Sequence, residues 1–322
     1  MAEGDLPDRD VPEGDVPEGD VPEGDVPEGD VADAAGAGID VLVDALDLEP
    51  VGDGGFRGTN ADITGSGVVF GGQLMAQSII AGASIDPDKA VKSLQVVFAK
   101  GAAPDAPLEI DVQTLAVGRA FSSAAVTISQ GERICTHAIV LLSAIEPDLI
   151  RHQDPMPTVQ GPGESREASH GGAFWQIRNV DGVDIADPSA VGPAELAVWT
   201  RFEGAPDAAS QQTLNRALLA FATDGFLIGT AMRPHEGVGQ SMAHVSISTT
   251  VNAHSISFHE DVDAGSWMLL DQQSRYAGHG RSHGTGRVFD GDGQLVATFS
   301  QDNMVRDFPK GTAPEAGGRA KH

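Results

Sequence analysis

Two stretches of the chain place apolar residues on every side of a helix. Residues 69–80 read Val-Phe-Gly-Gly-Gln-Leu-Met-Ala-Gln-Ser-Ile-Ile, and residues 218–229 read Leu-Leu-Ala-Phe-Ala-Thr-Asp-Gly-Phe-Leu-Ile-Gly. A helix without a polar face must be wrapped on most sides. Each stretch is followed by segments of strand pattern able to wrap it. After the first, 93–99 is rich in β-formers, 108–115 alternates strictly, and 124–130 and 134–142 follow across Gly131. After the second, strands are expected over 245–258, 267–274, 285–289 and 295–305. Helical spacing also marks 39–49, which Pro50 ends, and strand pattern marks 174–180 and 196–202. One helix is expected over 70–83 and one over 218–232.

The order of elements repeats, and so do residues. A shift of 162 carries Gly118 onto Gly280, Arg119 onto Arg281, Val126 onto Val288, Gly131 onto Gly293 and Thr136 onto Thr298. A shift of 160 carries Phe98 onto Phe258, and a shift of 153 carries Gly72 onto Gly225. The chain therefore reads as two tandem copies of a helix-then-sheet unit. Short turns between successive strands favour antiparallel pairing, and a sheet curled round a helix is an α+β arrangement. The expected division is an acidic tail over 1–37, a first unit over 38–148, a linker rich in Pro, Gly and Glu over 149–172, a second unit over 173–309, and a small-residue tail over 310–322.

The copies differ where chemistry would sit. Asp224 falls opposite Gly71, Gln301 opposite Ile139, and Thr250 opposite Ala90. Singly, each has a plain explanation: Asp224 caps a helix start, and Gln301 faces solvent. Together, an Asp, a Gln and a hydroxyl can orient one water for attack on an ester-like carbonyl.

Composition narrows the classes. The 322 residues are 40% hydrophobic, enough for substantial cores. The formal net charge is −27, of which residues 1–33 carry −12, with Arg9 their single basic residue. Residues 11–30 are four copies of Val-Pro-Glu-Gly-Asp, a composition that denies helix and sheet and reads as a disordered, solubilising tail. Such acidity argues against nucleic acid as a partner; a salt-adapted surface would show it too. Cys135 is the single cysteine, so no intramolecular disulfide can form, as in a reducing compartment. No run nears the roughly 18 apolar residues of a membrane span, and the acidic N-terminus is no signal peptide. A cytoplasmic protein is expected.

His279 and His283 have the spacing of metal ligands on a helix, but Gly278, Gly280 and Gly284 deny that helix, so no metal is expected. The glycines of 278–286 read as a strand-entry turn, and no Gly-x-Ser-x-Gly elbow supports a serine nucleophile. No organic cofactor is implied.

Several of these stretches, Phe70-Gly-Gly-Gln-Leu-Met-Ala-Gln77, Gly118-Arg-Ala-Phe-Ser122, Ala222-Thr-Asp-Gly225, Phe258-His259 and Gln301-Asp-Asn-Met-Val-Arg306, resemble the acyl-CoA thioesterase II family over roughly residues 50–308. The resemblance implies a double hotdog fold and hydrolysis of acyl-CoA to free fatty acid and CoA. It implies an Asp, a Gln and a Thr or Ser that activate water. The Asp falls on Asp224 and the Gln on Gln301. The hydroxyl position, three residues before His254, is Val251 here; either a one-residue bulge presents Thr250, or Asn252 substitutes, or the trio is incomplete. Backbone N–H groups of Gly72 or Gly225 are expected at the thioester carbonyl, and Arg281 at CoA phosphates. Hotdog units extend their sheets by association, so a homodimer or higher homo-oligomer is expected. A non-catalytic acyl-CoA-binding protein on the same scaffold is the alternative. A hydratase ranks last, because no histidine stands near Gly71 or Gly225 in sequence.

Overall fold

The computed structural model describes residues 38–308, except 53, 62–66 and 169–173. The repeat tail and the C-terminal tail lie outside the described residues. In chain order the helices are α1 (Asp40–Leu46), α2 (Gly71–Ala83), α3 (Gln212–Thr223) and α4 (Leu227–Met232). The strands of the first half are β1 (Glu49–Pro50), β2 (Phe56–Gly58), β3 (Ala90–Phe98), β4 (Leu108–Val117), β5 (Phe121–Gln130) and β6 (Arg133–Ser143). Those of the second half are β7 (Arg166–Glu167), β8 (Trp175–Asn179), β9 (Glu195–Phe202), β10 (Ile247–Phe258), β11 (Met268–Gly278), β12 (Arg281–Phe289) and β13 (Leu295–Asp307).

All thirteen strands form one antiparallel sheet, in the order β1-β2-β4-β5-β6-β3-β10-β13-β12-β11-β9-β8-β7. Four consecutive strands after α2 take the order 4-5-6-3; four after α4 take the mirrored order 10-13-12-11. The two sets meet where β3 pairs with β10, from Ser93 opposite Ser257 to Val97 opposite Ala253. Directly opposed residues share a face of a sheet. One face carries the core: Val96, Val140, Ile128, Ile256, Phe258 and Phe299 are buried there. The other face exposes Val97 and Ile139 in the first half and is polar in the second.

The α2 helix is buried from Gly72 to Ile79, polar residues included. Gln73 accepts from the Ala61 N–H (3.0 Å), and Gln77 donates to the carbonyls of Ala45 and Thr59 (both 2.9 Å). These two glutamines tie the preceding loops to the helix, so an apolar helix can carry them. At Gly72 a β-carbon would lie 2.5 Å from the Phe221 carbonyl oxygen and 3.0 Å from its Cα. Glycine there lets α2 and α3 approach backbone to backbone.

The single helix expected over 218–232 begins earlier, at Gln212, and breaks at residues 224–226 into α3 and α4. The Asp224-Gly225 pair at the break is a local turn signal; the apolar residues on both sides hide it in the overall pattern. The glycines of 278–286 are only partly a turn. His279 (φ 54°) and Gly280 (φ 70°) form a two-residue hairpin turn with both φ positive, while Gly284 and Gly286 lie within β12. Residues 151–160 run along the second half: Arg151 pairs with Glu260 (2.7 Å), Asp154 with Arg287 (3.3 Å), and the Trp199 indole N–H donates to the Gln160 carbonyl (2.8 Å).

Candidate active site

Asp224 sits in the break between α3 and α4 and is 7% exposed. The Gly72 N–H, at the start of α2, donates to its carboxylate, and Oδ1 has no hydrogen-bond partner. A β-carbon at Gly71 would lie 2.7 Å from Asp224 Oδ2 and 3.2 Å from Phe98 Cε1. Gly71, the residue opposite Asp224 in the internal register, is therefore also its neighbour in space. Burial pushes the Asp224 pKa up to about 7, against the lowering effect of the Gly72 amide.

Gln301 lies on the core face of β13 and is 1% exposed. Across the sheet it stands between His254 on β10 and Gly284 on β12. Both ends of that row are held to the α3–α4 segment. Thr223 Oγ1 is 3.2 Å from His254 Nε2, and a β-carbon at Gly284 would lie 2.6 Å from Leu227 Cδ2. The intervening residues, Asp224 to Phe226, thus cross the row where Gln301 lies. The Thr223 hydroxyl donates to the Ala220 carbonyl (2.8 Å), so the proton between Thr223 and His254 belongs to Nε2 and Nδ1 is bare. Burial pushes the His254 pKa down to about 3, and its ring stacks on Phe299 (5.7 Å, 7°). It is a neutral imidazole. The Gln301 carboxamide beside it opposes that shift, yet Gln301 Oε1 and Nε2 and His254 Nδ1 all lack a well-formed hydrogen bond.

Phe70, Trp175, Phe202, Phe221 and Phe226 pack together next to Asp224, with ring centroids 4.9–6.2 Å apart. Burial of the carboxylate is the origin of its raised pKa.

Other expected residues fall elsewhere. A bulge does interrupt β10, but Asn252 is its extra residue: Val251 opposes Asn303, and Ala253 opposes Asp302. The bulge returns Val251 to the face of Gln301. Thr250 opposes Met304, on the opposite face, and makes only a 3.3 Å contact with the Val251 carbonyl. Arg281 shares that opposite face by register and donates to the Gly280 carbonyl (2.9 Å). Neither Thr250 nor Arg281 meets Asp224. The Gly72 N–H, expected at the substrate carbonyl, is taken by Asp224. Gly225 N–H reaches the Ala222 carbonyl only at 3.4 Å.

The internal register also needs a one-residue correction. Pairing makes Leu94 opposite Val140 the counterpart of His254 opposite Gln301. The gap-free shift of 162 is one residue too long on β6–β13 and so put Ile139, which faces outward, against Gln301; on β5–β12 it is two too long, since Ser122 is the counterpart of Ser282. The absence of a histidine near the site likewise holds only in sequence: His254 packs against Thr223, next to Asp224. A polar cleft of about 710 Å³, lined by Ser255, Ser257, Thr285, Arg287 and Ser300 among others, opens on the opposite face of the sheet and is not this site.

The family models of the acyl-CoA thioesterase N-terminal and C-terminal domains match residues 60–143 and 151–305. The chain belongs to the acyl-CoA thioesterase II family. This family member is 29% identical over 285 residues to acyl-CoA thioesterase 2 of Haemophilus influenzae, covering 82% of this chain and 96% of the relative. It is 27% identical over 296 residues to acyl-coenzyme A thioesterase 8 of Mus musculus, covering 84% and 90%. Among solved structures it is similar to an acyl-CoA thioesterase II from Mycobacterium marinum (TM-score 0.68, 25% identity, 85% of this chain and 99% of that one). It also shares the fold of a tesB protein of Mycobacterium avium subs paratuberculosis (TM-score 0.71, 22% identity, 84% and 99%).

Proposed function

We propose that Asp224 and Gln301 hold the water with which this acyl-CoA thioester hydrolase attacks its substrate. The observation that carries the reading is the asymmetry of equivalent positions: Leu94, Val140 and Gly71 in the first half against His254, Gln301 and Asp224 in the second. Gln301, beside the neutral His254 ring, accepts from the water through Oε1. Asp224 takes the water's other proton as the oxygen bonds to the carbonyl carbon. A carboxylate with a pKa near 7 can both accept that proton and release it at neutral pH. Gly225 N–H is the amide left to polarise the carbonyl. The C–S bond then breaks, the proton passes to the departing thiolate, and fatty acid and CoA are released.

The mirrored strand order supports the finer description as a double hotdog, with units over 38–148 and 173–309 joined by 149–172. Exposed Val97, Val117, Phe121 and Ile139 on the first half support association into a homodimer or higher homo-oligomer. A lone free Cys135 supports a cytoplasmic setting. The test is release of free thiol from palmitoyl-CoA and shorter acyl-CoAs. Asp224→Ala and Gln301→Ala are each expected to lower kcat by about 100-fold or more. Turnover equal to wild type in Asp224→Ala removes the mechanism.

A further inference from the structure

The resemblance places a hydroxyl at 251, and the chain has valine there. Yet the face that Val251 shares with Gln301 is not apolar. Directly across the β10–β13 pair stands Asn303, 1% exposed, and across the next pair stands Ser282, 2% exposed. The Asn303 Nδ2 donates to Ser282 Oγ (3.3 Å), while Oδ1 has no partner. A buried amide oxygen without a partner is costly, and native proteins keep few of them.

Position along the strand brings this oxygen to the site. Asn303 follows Gln301 by two residues, so the two side chains leave the same face about 7 Å apart at their Cα atoms. Asp224 is linked to this row through the ring of Phe98. Phe98 follows Val97, which opposes Ala253, so it stands beside the Asn252 bulge and Val251. Phe98 is in turn the ring against Gly71, whose β-carbon position meets Asp224 Oδ2. The asymmetry that marks Gln301 marks Asn303 as well. In the first half the equivalent row is Val91 opposite Leu142 opposite Ser122. Valine and serine are common to both rows; only leucine has become asparagine.

We infer that Asn303 is the third polar group of the site, and that its Oδ1 shares with Gln301 Oε1 the water hydrogen that does not pass to Asp224, in the place the family gives to a hydroxyl at 251. The polar contact has moved across one strand pair. Ser282 fixes the carboxamide by accepting from Nδ2, so Oδ1 is the end presented to the water. This rests on the Asp224–Gln301 reading above.

The experiment compares wild type, Asn303→Leu and Val251→Thr/Asn303→Leu by steady-state thiol release from palmitoyl-CoA, with Asp224→Ala alongside. Asn303→Leu is expected to lower kcat by about 100-fold while KM stays within about threefold, the pattern of a contact made at the transition state. It should keep its melting temperature, since leucine is the first-half residue. Val251→Thr in that background is expected to recover at least about tenfold of the lost kcat. If the leucine variant does not fold, Asn303→Ala and its Val251→Thr double variant read the same quantities without added bulk. A kcat within twofold of wild type, or a loss that Val251→Thr does not recover, overturns the assignment. An inactive Asp224→Ala beside a fully active Asn303 variant discards Asn303 alone; an active Asp224→Ala discards the water mechanism itself.

Discussion

At the scale of single residues the site is a set of buried polar groups that lack protein partners. Asp224 Oδ1 and both ends of the Gln301 carboxamide are unpartnered and nearly inaccessible. In a purely structural core such groups cost about 1–3 kcal/mol each. The raised pKa of Asp224 gives its function a pH signature. In the proposed mechanism the carboxylate is the working form, so kcat/KM should rise with pH through about 7 and level off above it. The neutral imidazole of His254 does not titrate in that range, because burial holds its pKa near 3. A steady-state profile from pH 5.5 to 9 that is flat across 7 would show that Asp224 is not the base. Asp224 and Gln301 were legible as residue types because their counterparts in the other copy are apolar or glycine. Thr223 and His254 were not, since a hydroxyl inside an apolar helix and a histidine inside a strand have ordinary explanations. The parity of β13 was available: Phe299, Gln301 and Asn303 alternate onto one face.

At the scale of elements, two close approaches build the site. The α2 N-terminus meets α3 through Gly72, and the α3–α4 break lays Asp224 over the strand row of Gln301. Gly72→Ala should therefore act on both stability and activity. Its β-carbon would meet Phe221 backbone and the Phe70 ring, so a loss of about 1–3 kcal/mol is expected in chemical denaturation. Unchanged stability would mean that the helices do not press together there. Strand positions followed from alternation because sheet faces differ in polarity. The break at 224–226 was signalled only by Asp224-Gly225, which the helical apolar spacing on both sides outweighed. The position of Val251 relative to His254 points to a bulge that would present Thr250; the bulge in the structure has Asn252 as its extra residue. Its sense, which turns Val251 inward and Thr250 outward, is set by pairing with β13 and by nothing local.

At the scale of the whole molecule, the β3–β10 pairing makes one sheet of two similar halves. Asp224 belongs to the second half, but its hydrogen-bond donor, Gly72, belongs to the first. A continuous sheet with interlocked helices should unfold as one unit. Trp175, Trp199 and Trp267 all lie in the second half, whereas far-UV circular dichroism reports both. Denaturant transitions followed by the two signals should coincide; a tryptophan transition displaced from the dichroism transition would show halves that fold independently. The duplication was legible in residue shifts. The continuity of the sheet was not, because edge pairing between copies leaves no spacing in the sequence.

The raised pKa of Asp224 also ties activity to stability with opposite signs. In the unfolded chain the carboxyl ionises near 4, but in the folded protein it resists ionisation up to about 7, so its burial weakens the fold progressively as pH rises from 4 to 7. Asp224→Asn removes that penalty. The most direct measurement is the denaturation free energy of Asp224→Asn and wild type at pH 5 and pH 8.5, with thiol release from palmitoyl-CoA measured on the same samples. The variant should be more stable than wild type at pH 8.5, by about 2–4 kcal/mol, and by less at pH 5, while its kcat falls about 100-fold or more. A variant that hydrolyses palmitoyl-CoA at the wild-type rate, or that is less stable than wild type at pH 8.5, contradicts a buried carboxylate held ready for a water.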